Sequence, residues 1–587
     1  MAARREKRAR RQRQAEAMPR SHVARRRAVL ALFALAALAL VARAVQQQIF
    51  ERDFLQAEGA DRYLDEVTVA AHRGPITDRN GRLLAMSAPV DSIAADPRRL
   101  KPDHRGLPAL ARALKMKPDD LRRRLARHAR RRFVYLRRHL APAQAAKVMA
   151  VARRHKLPGL QKLREYRRFY PDGEIFAHVV GFTNVDDRGQ EGMELAWDDE
   201  LAGQPGLKRV LRDGRRQVVA DVESLRLPRP GKGLVLSLDQ RLQYIAYREL
   251  KAAIRRHGAK AGSIVLLDAR TGEVLAMVNQ PGYNPNRSRS NRNGRLLNRA
   301  VAAVFEPGST MKPLALAAAL DAGAVKADER VDTRPGSVRI GRYRFSDHHP
   351  LGVTDLRTIL QKSSNVGALR VTLRLEPQTL WDYLHGLGFG RPTGSGFPGE
   401  LRGRLRPVKN WARVDQATLA FGYGLSTTAL QLARAYLALA NDGVVLPVSL
   451  IRRDRPPEGT QVFKAETARL IRHMLESVVS REGTAPQAAV PGYRVAGKTG
   501  TARKFGPGGY NDKRHMALFA GMAPAGRPRL VAVVVIDEPQ GKKYYGGQVA
   551  APVFSKVMSA ALRLLDVPPD DLVPGRAARL AELEVQR

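Results

Sequence analysis

Cysteine is absent from the 587-residue sequence. Its absence excludes disulfide bonds and thiolate metal sites. A lack of thiols is compatible with an oxidising compartment and is not by itself proof of one. Apolar residues make up 44% of the chain and charged residues 27%, which is ordinary for a folded protein. The length allows two to four domains of roughly 100–200 residues each.

Acidic residues are scarce relative to basic ones. The 56 Asp and Glu face 102 Lys and Arg, which gives a formal charge of +46. Such a charge suits nucleic acid, an anionic polymer or an anionic membrane surface as a partner. The sequence lacks zinc-finger spacing, an RNP-like aromatic motif and a basic-zipper pattern, and its arginines are spread along almost the whole chain. We therefore expect no nucleic-acid partner.

Long apolar runs are also missing, with one exception near the N-terminus. Residues 28–42 are uninterruptedly apolar, and Arg43 stands near the far edge of a segment that we place at 28–46. This length is near the minimum for crossing a bilayer. The arginine-rich residues 1–27 precede the segment, so the positive-inside rule predicts a cytoplasmic N-terminus and one crossing.

A cleaved signal peptide is the alternative interpretation of this segment. Ala42-Arg43-Ala44 resembles a signal-peptidase site that follows a short apolar region. The basic region ahead of it is far longer than that of a usual signal peptide. We favour an uncleaved anchor for this reason, and a soluble mature form that begins near residue 44 would contradict it.

Two stretches differ in pattern after the anchor. Residues 47–229 contain mixed short elements and no catalytic constellation, with a predicted hairpin turn at 78–81 and a basic, helical pattern at 110–140. The second stretch has strand-like runs near residue 265 and again near residue 533, separated by a long helical region. We therefore predict an α+β fold in which a helical insert splits an antiparallel sheet.

The first chemical motif is Ser309-Thr310-Met311-Lys312. Pro307-Gly308 breaks the preceding element, and the apolar run from Leu314 predicts a helix that starts beside the serine. A serine and a lysine three residues apart share one helix face. The N–H groups at a helix N-terminus favour developing negative charge. This arrangement suits a serine nucleophile with an amine base, although a helix cap followed by a surface lysine fits the tetrapeptide alone equally well.

Two later motifs favour the catalytic interpretation. Ser363-Ser364-Asn365 follows a helical stretch, and Lys498-Thr499-Gly500 follows a strand-like run. S-x-x-K, S-x-N and K-T-G in this order are the signature of penicillin-binding proteins and class A β-lactamases. In our hypothesis Ser309 attacks a carbonyl carbon, and neutral Lys312 accepts its proton. Ser363 relays a proton to the leaving amine.

Further hypotheses concern the groups that hold the substrate. Asn365 holds the substrate amide and hydrogen-bonds to Lys312, while Lys498 lowers the lysine's pKa as a second cation. Thr499 and Thr501 bind a terminal carboxylate together with Lys498. Gly500 leaves room for the substrate backbone along the strand. The backbone N–H groups of Ser309 and Thr501 form the oxyanion hole.

With these motifs, most of the chain resembles the class B penicillin-binding proteins, and among them the division-specific D,D-transpeptidases. The segments that carry the resemblance, besides the three motifs, are Arg73-Gly74, Asp78-Arg79-Asn80-Gly81, Phe305-Glu306-Pro307-Gly308, Phe421-Gly422-Tyr423-Gly424-Leu425-Ser426, Gln431-Leu432-Ala433-Arg434, Tyr544-Tyr545-Gly546-Gly547 and Ala551-Pro552-Val553-Phe554.

The resemblance implies a domain organisation. It comprises a cytoplasmic tail (1–27), an anchor (28–46), an elongated α+β pedestal (47–229), a transpeptidase domain (230–565) and a C-terminal tail (566–587). The transpeptidase domain would contain a central antiparallel five-stranded sheet flanked by helices. No glycosyltransferase domain precedes the pedestal, which argues against a bifunctional class A enzyme.

The resemblance also implies an activity, partners and a location. The enzyme would be periplasmic, anchored in the inner membrane, and would cross-link peptidoglycan stem peptides through an acyl-enzyme, without cofactor or metal. β-Lactams would acylate the same serine. A polytopic glycosyltransferase and small bitopic division proteins would be its partners. An elongation-specific transpeptidase is the main alternative, and a D,D-carboxypeptidase or a β-lactam sensor fits the long pedestal and short tail less well.

Overall fold

The computed structural model describes residues 21–55, 58, 64–212, 218–287, 294–506 and 509–571. Most of the predicted basic tail and residues 572–587 therefore lie outside the described residues. The chain divides into two compact units. One comprises Met1–Ala71 and Gln204–Arg229, and the other comprises His72–Gly203 and Pro230–Arg587.

Helix α1 (Ser21–Val45) opens the first unit and continues into a π-helical turn at Gln46–Phe50. The stretch Val23–Phe50 is long and apolar enough to cross a membrane, and its side chains are exposed. The helix therefore fits the predicted single-pass anchor, with an apolar stretch of 28 residues compared with the 19 expected from the sequence.

The next elements belong to both units. Between residues 64 and 226 they follow in the order β1 (Leu64–Val69), β2 (Ile76–Thr77), β3 (Leu83–Ala95), α2 (Leu107–Ala113), α3 (Pro118–Arg127), β4 (Val134–Leu140), α4 (Pro142–Arg154), β5 (Leu160–Phe169), α5 (Ala177–Val180), β6 (Phe182–Thr183), β7 (Gly189–Glu191), α6 (Gly192–Ala196), α7 (Asp198–Ala202), β8 (Gly206–Arg212) and β9 (Val218–Arg226). Strands β1, β8 and β9 form an antiparallel sheet in the first unit.

In the second unit, β3 pairs with β2, β4 and β5. The predicted turn at 78–81 is confirmed: Asp78 Oδ1 accepts hydrogen bonds from the backbone N–H groups of Asn80 and Arg82, each at 2.8 Å, and links β2 to β3. Asp78 Oδ2 accepts a bond from Gln240 N at 3.1 Å, so the same carboxylate also fixes the turn to a later helix.

The helical prediction for residues 110–140 is partly wrong. Helices α2 and α3 occupy its first part, but β4 occupies residues 134–140 and pairs antiparallel with β3. Val134 and Leu136 are buried while Tyr135 and Arg137 are half-exposed, which is the alternation of a strand. The many arginines of the segment masked this two-residue period.

The remaining elements all belong to the second unit. They are β10 (Leu234–Val235), α8 (Gln240–Arg256), β11 (Ala261–Asp268), β12 (Val274–Gln280), α9 (Arg299–Ala302), α10 (Lys312–Asp321), β13 (Val331–Asp332), β14 (Ser337–Ile340), β15 (Tyr343–Ser346), β16 (Val353–Thr354), α11 (Leu356–Gln361), α12 (Asn365–Thr372), α13 (Pro377–Gly386), α14 (Arg413–Leu419), α15 (Ala429–Ala440), β17 (Val444–Val445), β18 (Thr460–Gln461), α16 (Ala465–Glu476), β19 (Ala496–Gly506), β20 (Gly509–Ala523), β21 (Leu530–Asp537), α17 (Gly546–Val549) and α18 (Ala551–Leu564).

The predicted five-stranded antiparallel sheet is confirmed, with the strand order β12-β11-β21-β20-β19. Strands β11 and β12 are buried along their whole length, because helices cover both faces. Helices α8 and α18 pack on the sheet and on each other, and the fully apolar α15 packs against β11 and β21. The segment between β12 and β19 supplies the helical insert, and β19 forms one edge of the sheet.

Candidate active site

The nucleophile motif lies in a tight turn before a buried helix. Gly308–Met311 form a single 3₁₀ turn, and α10 begins at Lys312. Gly308 has φ +57°, and its N–H donates to Gly422 O at 3.2 Å. A Cβ added to Gly422 would lie 2.2 Å from Gly308 O, so only glycine allows this close approach. Ser309 is half-buried, at the rim of the packed core.

The second motif lies between α11 and α12. Ser363 has φ +59°, an unusual conformation for serine, and α12 begins directly afterwards. The Ser364 hydroxyl caps the new helix by accepting a bond from Gly367 N at 2.8 Å. This cap fixes the turn, so that the side chains of Ser363 and Asn365 point toward Lys312.

Lys312 is completely buried and makes three hydrogen bonds to this second motif. Its Nζ lies 2.5 Å from Ser363 O, 3.1 Å from Ser363 Oγ and 2.8 Å from Asn365 Oδ1. Asn365 Nδ2 donates to Ser346 O at 3.1 Å, which keeps the amide oxygen directed at the lysine. The lysine is thus held between two elements that are 51 and 53 residues away in sequence.

Lys498 approaches the same hydroxyl from the edge strand β19. Its side chain is also fully buried, and Nζ lies 3.0 Å from Ser363 Oγ. Further contacts reach Thr499 O at 3.3 Å and Thr499 Oγ1 at 3.2 Å. The Ser363 hydroxyl therefore lies between two amines, 3.1 Å from one and 3.0 Å from the other, and connects them as a possible proton path.

The two lysines have strongly perturbed acidities. Burial lowers the pKa of Lys312 well below its usual value, and the nearby charge of Lys498 lowers it further, while Asp347 acts in the opposite direction. Burial lowers the pKa of Lys498 to about 7. Desolvation disfavours the charged form of an amine. A neutral Lys312 at neutral pH is therefore favoured by the fold, as its predicted function as a base requires.

The threonines of the third motif line the same strand. Thr499 Oγ1 lies 3.0 Å from Thr484 Oγ1, and Thr501 Oγ1 accepts a bond from Gly546 N at 3.0 Å. Strand β19 has no neighbouring strand on its outer side in the described part of the sheet. An extended peptide can pair with an edge of this kind, with Thr499 and Thr501 beside it.

The structure revises the expected function of Gly500. A Cβ at this position would lie 2.9 Å from Pro307 O and 3.0 Å from Thr310 Cγ2. Both atoms belong to the nucleophile turn and not to an open substrate channel. Gly500 therefore allows the turn that carries Ser309 to pack directly on β19, and our expectation that it makes room for the substrate backbone was wrong in its reason.

Asp347 belongs to the site and was missed from the sequence. Its Oδ1 accepts bonds from Asn365 N at 2.5 Å and Val366 N at 3.0 Å, and its Oδ2 accepts one from the Ser364 hydroxyl at 2.6 Å. A carboxylate at a helix N-terminus is favourable. Asp347 follows strand β15 in an irregular segment, where no spacing rule links it to the second motif.

The five residues predicted to be catalytic lie in one cluster, but Ser309 and Lys312 are not hydrogen-bonded to each other. Within the described chain, the Lys312 amine contacts Ser363 and Asn365 only. The Ser309 hydroxyl is therefore available to a carbonyl group without first breaking a bond to the lysine. Catalytic contacts commonly tighten only when substrate is bound.

Comparison with known proteins agrees with this geometry. The family model of the penicillin binding protein transpeptidase domain matches residues 262–559, and that of the penicillin-binding protein dimerisation domain matches residues 68–236.

Two curated relatives and one solved structure are similar over most of the chain. The probable peptidoglycan D,D-transpeptidase PenA of Neisseria meningitidis is 43% identical over 92% of this chain and 93% of its own. The peptidoglycan D,D-transpeptidase FtsI of Escherichia coli is 41% identical over 92% of both chains. A peptidoglycan synthetase from Bifidobacterium adolescentis superposes with a TM-score of 0.69 at 25% identity, covering 87% of this chain and 98% of that one.

The order of the three motifs, the buried lysine pair and the full-length similarity lead to one assignment. The chain belongs to the class B penicillin-binding proteins, which combine a dimerisation domain with a transpeptidase domain, and it is a peptidoglycan D,D-transpeptidase.

Proposed function

We propose that this transpeptidase cross-links stem peptides during septal wall synthesis, through an acyl-enzyme on Ser309. One observation carries the chemical part of the proposal: the Ser363 hydroxyl lies 3.1 Å from the Lys312 amine and 3.0 Å from the Lys498 amine, next to the Ser309 turn. Nucleophile, base and proton relay are thereby within one buried cluster.

In the first step Ser309 Oγ attacks the carbonyl carbon of the penultimate D-alanine. Its proton passes to the neutral amine of Lys312 as the new C–O bond forms. The C–N bond to the last D-alanine then breaks, and the leaving nitrogen receives that proton through the Ser363 hydroxyl. The products are an ester on Ser309 and free D-alanine, and Lys312 is neutral again.

In the second step an amine of a neighbouring stem peptide attacks the ester carbonyl carbon. The amine loses a proton to Lys312, and the serine oxygen recovers one when the C–O bond breaks. A new peptide bond replaces the one that was lost, and no external energy source is needed. A β-lactam follows the first step only, because its opened ring stays attached to Ser309.

Substrate recognition is assigned to β19. Lys498, Thr499 and Thr501 bind the terminal carboxylate of the donor peptide, and Asn365 holds the amide that precedes it. The N–H groups of Ser309 and Thr501 stabilise the oxyanion. Support comes from the edge position of β19 and from the packing of Gly500 on the nucleophile turn, which brings the Ser309 and Thr501 segments together.

The septal assignment and the orientation in the membrane rest on other observations. A relative at 41% identity carries the name FtsI, and the segments at 361–365 and 421–426 favour the division type over the elongation type. The arginine-rich N-terminus favours a cytoplasmic tail and a periplasmic catalytic domain. The proposed partners are a polytopic glycosyltransferase and bitopic proteins of the division machinery.

Depletion in cells that carry either the wild-type gene or Ser309→Ala tests both parts. We expect filamentous cells on depletion, rescue by wild type, and no rescue by Ser309→Ala. Labelling of membranes with fluorescent penicillin should lose one band near 65 kDa in the variant. Round cells would contradict the septal assignment, and a Ser309→Ala protein that still takes up label would contradict the nucleophile.

A further inference from the structure

Positive charge is concentrated in the insert between β3 and β5. Residues 96–159 contain 20 Lys and Arg against four Asp and Glu, a net +16 in 64 residues. Residues 1–27 carry +9, so the other 496 residues share +21 of the total of +46. The insert thus holds about one net charge per four residues, compared with about one per 24 in that remainder. A general arginine bias of the sequence does not explain this difference.

The insert has its own hydrophobic core, and its charges lie outside that core. Buried leucines from α2 and α3, including Leu110, Leu121 and Leu125, pack together with residues of β4 and α4. All but a few of the basic side chains are exposed. They are therefore not needed to build the fold, and their charges face solvent.

The few carboxylates of the insert are already used. Asp96 pairs with Arg98, Asp119 with Arg122 and Asp120 with Arg123. By contrast, Arg127, Arg130, Arg131 and Arg132 form no ion pair with any carboxylate in the described part of the chain, and all four are exposed. Neighbouring like charges repel one another and reduce stability. A partner with negative charge would remove this repulsion.

An aromatic side chain accompanies these arginines. Phe133 directly follows them, is 41% exposed, and meets Tyr135 edge-on with ring centroids 4.9 Å apart. Arginine and exposed aromatic rings are the residue types that binding surfaces favour. We define the basic surface as Arg127, Arg130, Arg131, Arg132 and Phe133.

We propose that the basic surface binds uncross-linked peptidoglycan strands, as a second contact with the polymer outside the catalytic cleft. The insert and the transpeptidase site belong to the same compact unit, so both face the same compartment and the same substrate. Stem peptides carry free carboxylates, which guanidinium groups bind with paired hydrogen bonds. The exposed ring of Phe133 offers an apolar face to the C–H groups of a sugar.

A second contact has a consequence for the reaction. A strand held at the basic surface is presented to the cleft at a raised local concentration, because its next binding event is intramolecular. The contact consists of exposed charges, so it is weak, reversible and sensitive to salt. Such a contact lets the enzyme stay on a growing strand while each stem peptide enters and leaves the site.

The test uses the full-length protein in nanodiscs of uncharged lipid, with Ser309 acylated by fluorescent penicillin so that no cross-linking occurs. Binding to purified peptidoglycan sacculi is measured by co-sedimentation. The variant combines Arg130→Gln, Arg131→Gln and Arg132→Gln. The matched control removes the same charge elsewhere with Arg255→Gln, Arg256→Gln and Arg455→Gln, three exposed arginines of the second unit.

We expect the triple variant to bind sacculi roughly tenfold more weakly, as the loss of three exposed ion pairs implies, and the control to stay within about twofold. Added salt should weaken wild type more than the variant. Sacculi whose carboxylates are blocked with ethanolamine should bind wild type as weakly as they bind the variant. Equal rates of penicillin acylation in all three proteins would show that the folds are intact, independently of the septal assignment.

Several results would overturn the proposal. One is equal binding by the variant and the control, and another is undiminished binding to carboxylate-blocked sacculi. A defect that the variant shows only with phosphatidylglycerol vesicles would assign the surface to the membrane, and one shown only with an acidic partner protein would assign it to that protein. If the triple variant is not acylated, the single variant Arg131→Glu replaces it, with an expected loss of roughly fivefold.

Discussion

Two buried polar clusters in the second unit differ in how their charges are compensated. In one, Arg73 donates to Glu194 at 2.7 Å and to Asp198 at 2.6 Å, and Arg168 donates to Glu194 at 2.6 Å. In the other, Lys312 and Lys498 are both fully buried, and their hydrogen bonds go to hydroxyl, amide and carbonyl oxygens.

This difference has opposite effects on acidity. Burial alone would lower the pKa of Arg73, but Glu194 and Asp198 raise it above its usual value. Burial lowers the pKa of both lysines, and no adjacent carboxylate restores it. A buried cation with paired carboxylates stays charged and holds elements together, whereas a buried amine without one becomes a base. The comparison predicts which cluster serves stability and which serves catalysis.

The largest expected effect comes from removing the base. Lys312→Met should slow acylation by penicillin by roughly 10³-fold or more, because the proton of Ser309 then has no acceptor. The melting temperature should stay the same or rise, since a buried amine is replaced by an apolar side chain of similar length. Stopped-flow acylation and thermal unfolding check both. A variant that keeps its rate would remove Lys312 from the mechanism.

The reverse outcome is expected in the arginine cluster. Glu194→Gln leaves the buried Arg73 and Arg168 without the carboxylate they share, and should lower the free energy of unfolding by about 3–5 kcal/mol. The acylation rate of the protein that remains folded should change by less than about threefold, because the cluster does not contact the catalytic residues. Urea unfolding and acylation at low temperature separate the two effects. A large rate change without loss of stability would contradict the comparison.

A smaller effect is expected at Asp347, which links the catalytic cluster to a helix terminus. Asp347→Asn should destabilise the fold by about 1–2 kcal/mol through a weakened cap, and slow acylation roughly tenfold as Asn365 loses its support. Asp347 raises the pKa of Lys312, so its neutralisation should also move the acid limb of the pH–rate profile to lower pH. A limb that moves to higher pH would contradict this assignment of charges.

The sequence was sufficient for the elements whose pattern is local. The five-stranded sheet follows from short runs of β-branched and apolar residues, and the three motifs follow from fixed spacings that chemistry explains. Residues 134–140 were missed as a strand, because the arginines that occupy exposed positions of both helices and strands hid the alternation of Val134 and Leu136.

Other features depend on contacts between distant segments. Asp347 joins the site through three hydrogen bonds to residues 17 to 19 positions later, in a loop without a recognisable pattern. The reason for Gly500 lies in the approach of Pro307 and Thr310, almost 200 residues earlier in the chain. Such requirements are set by tertiary packing, and a single sequence carries no local trace of them.

The most direct test of the central claim is the rate of acylation by a β-lactam as a function of pH from 4 to 10. Lys312 must be neutral to act, and its pKa is lowered, so the rate should fall on the acid side and reach its plateau by about neutral pH. Lys498 loses its positive charge as pH rises through about 7, so binding of the β-lactam carboxylate should weaken on the alkaline side. The two limbs describe the coupled pair. A rate that climbs steadily to pH 10, as an ordinary lysine would give, or that shows no acid limb at all, would contradict the neutral-lysine base.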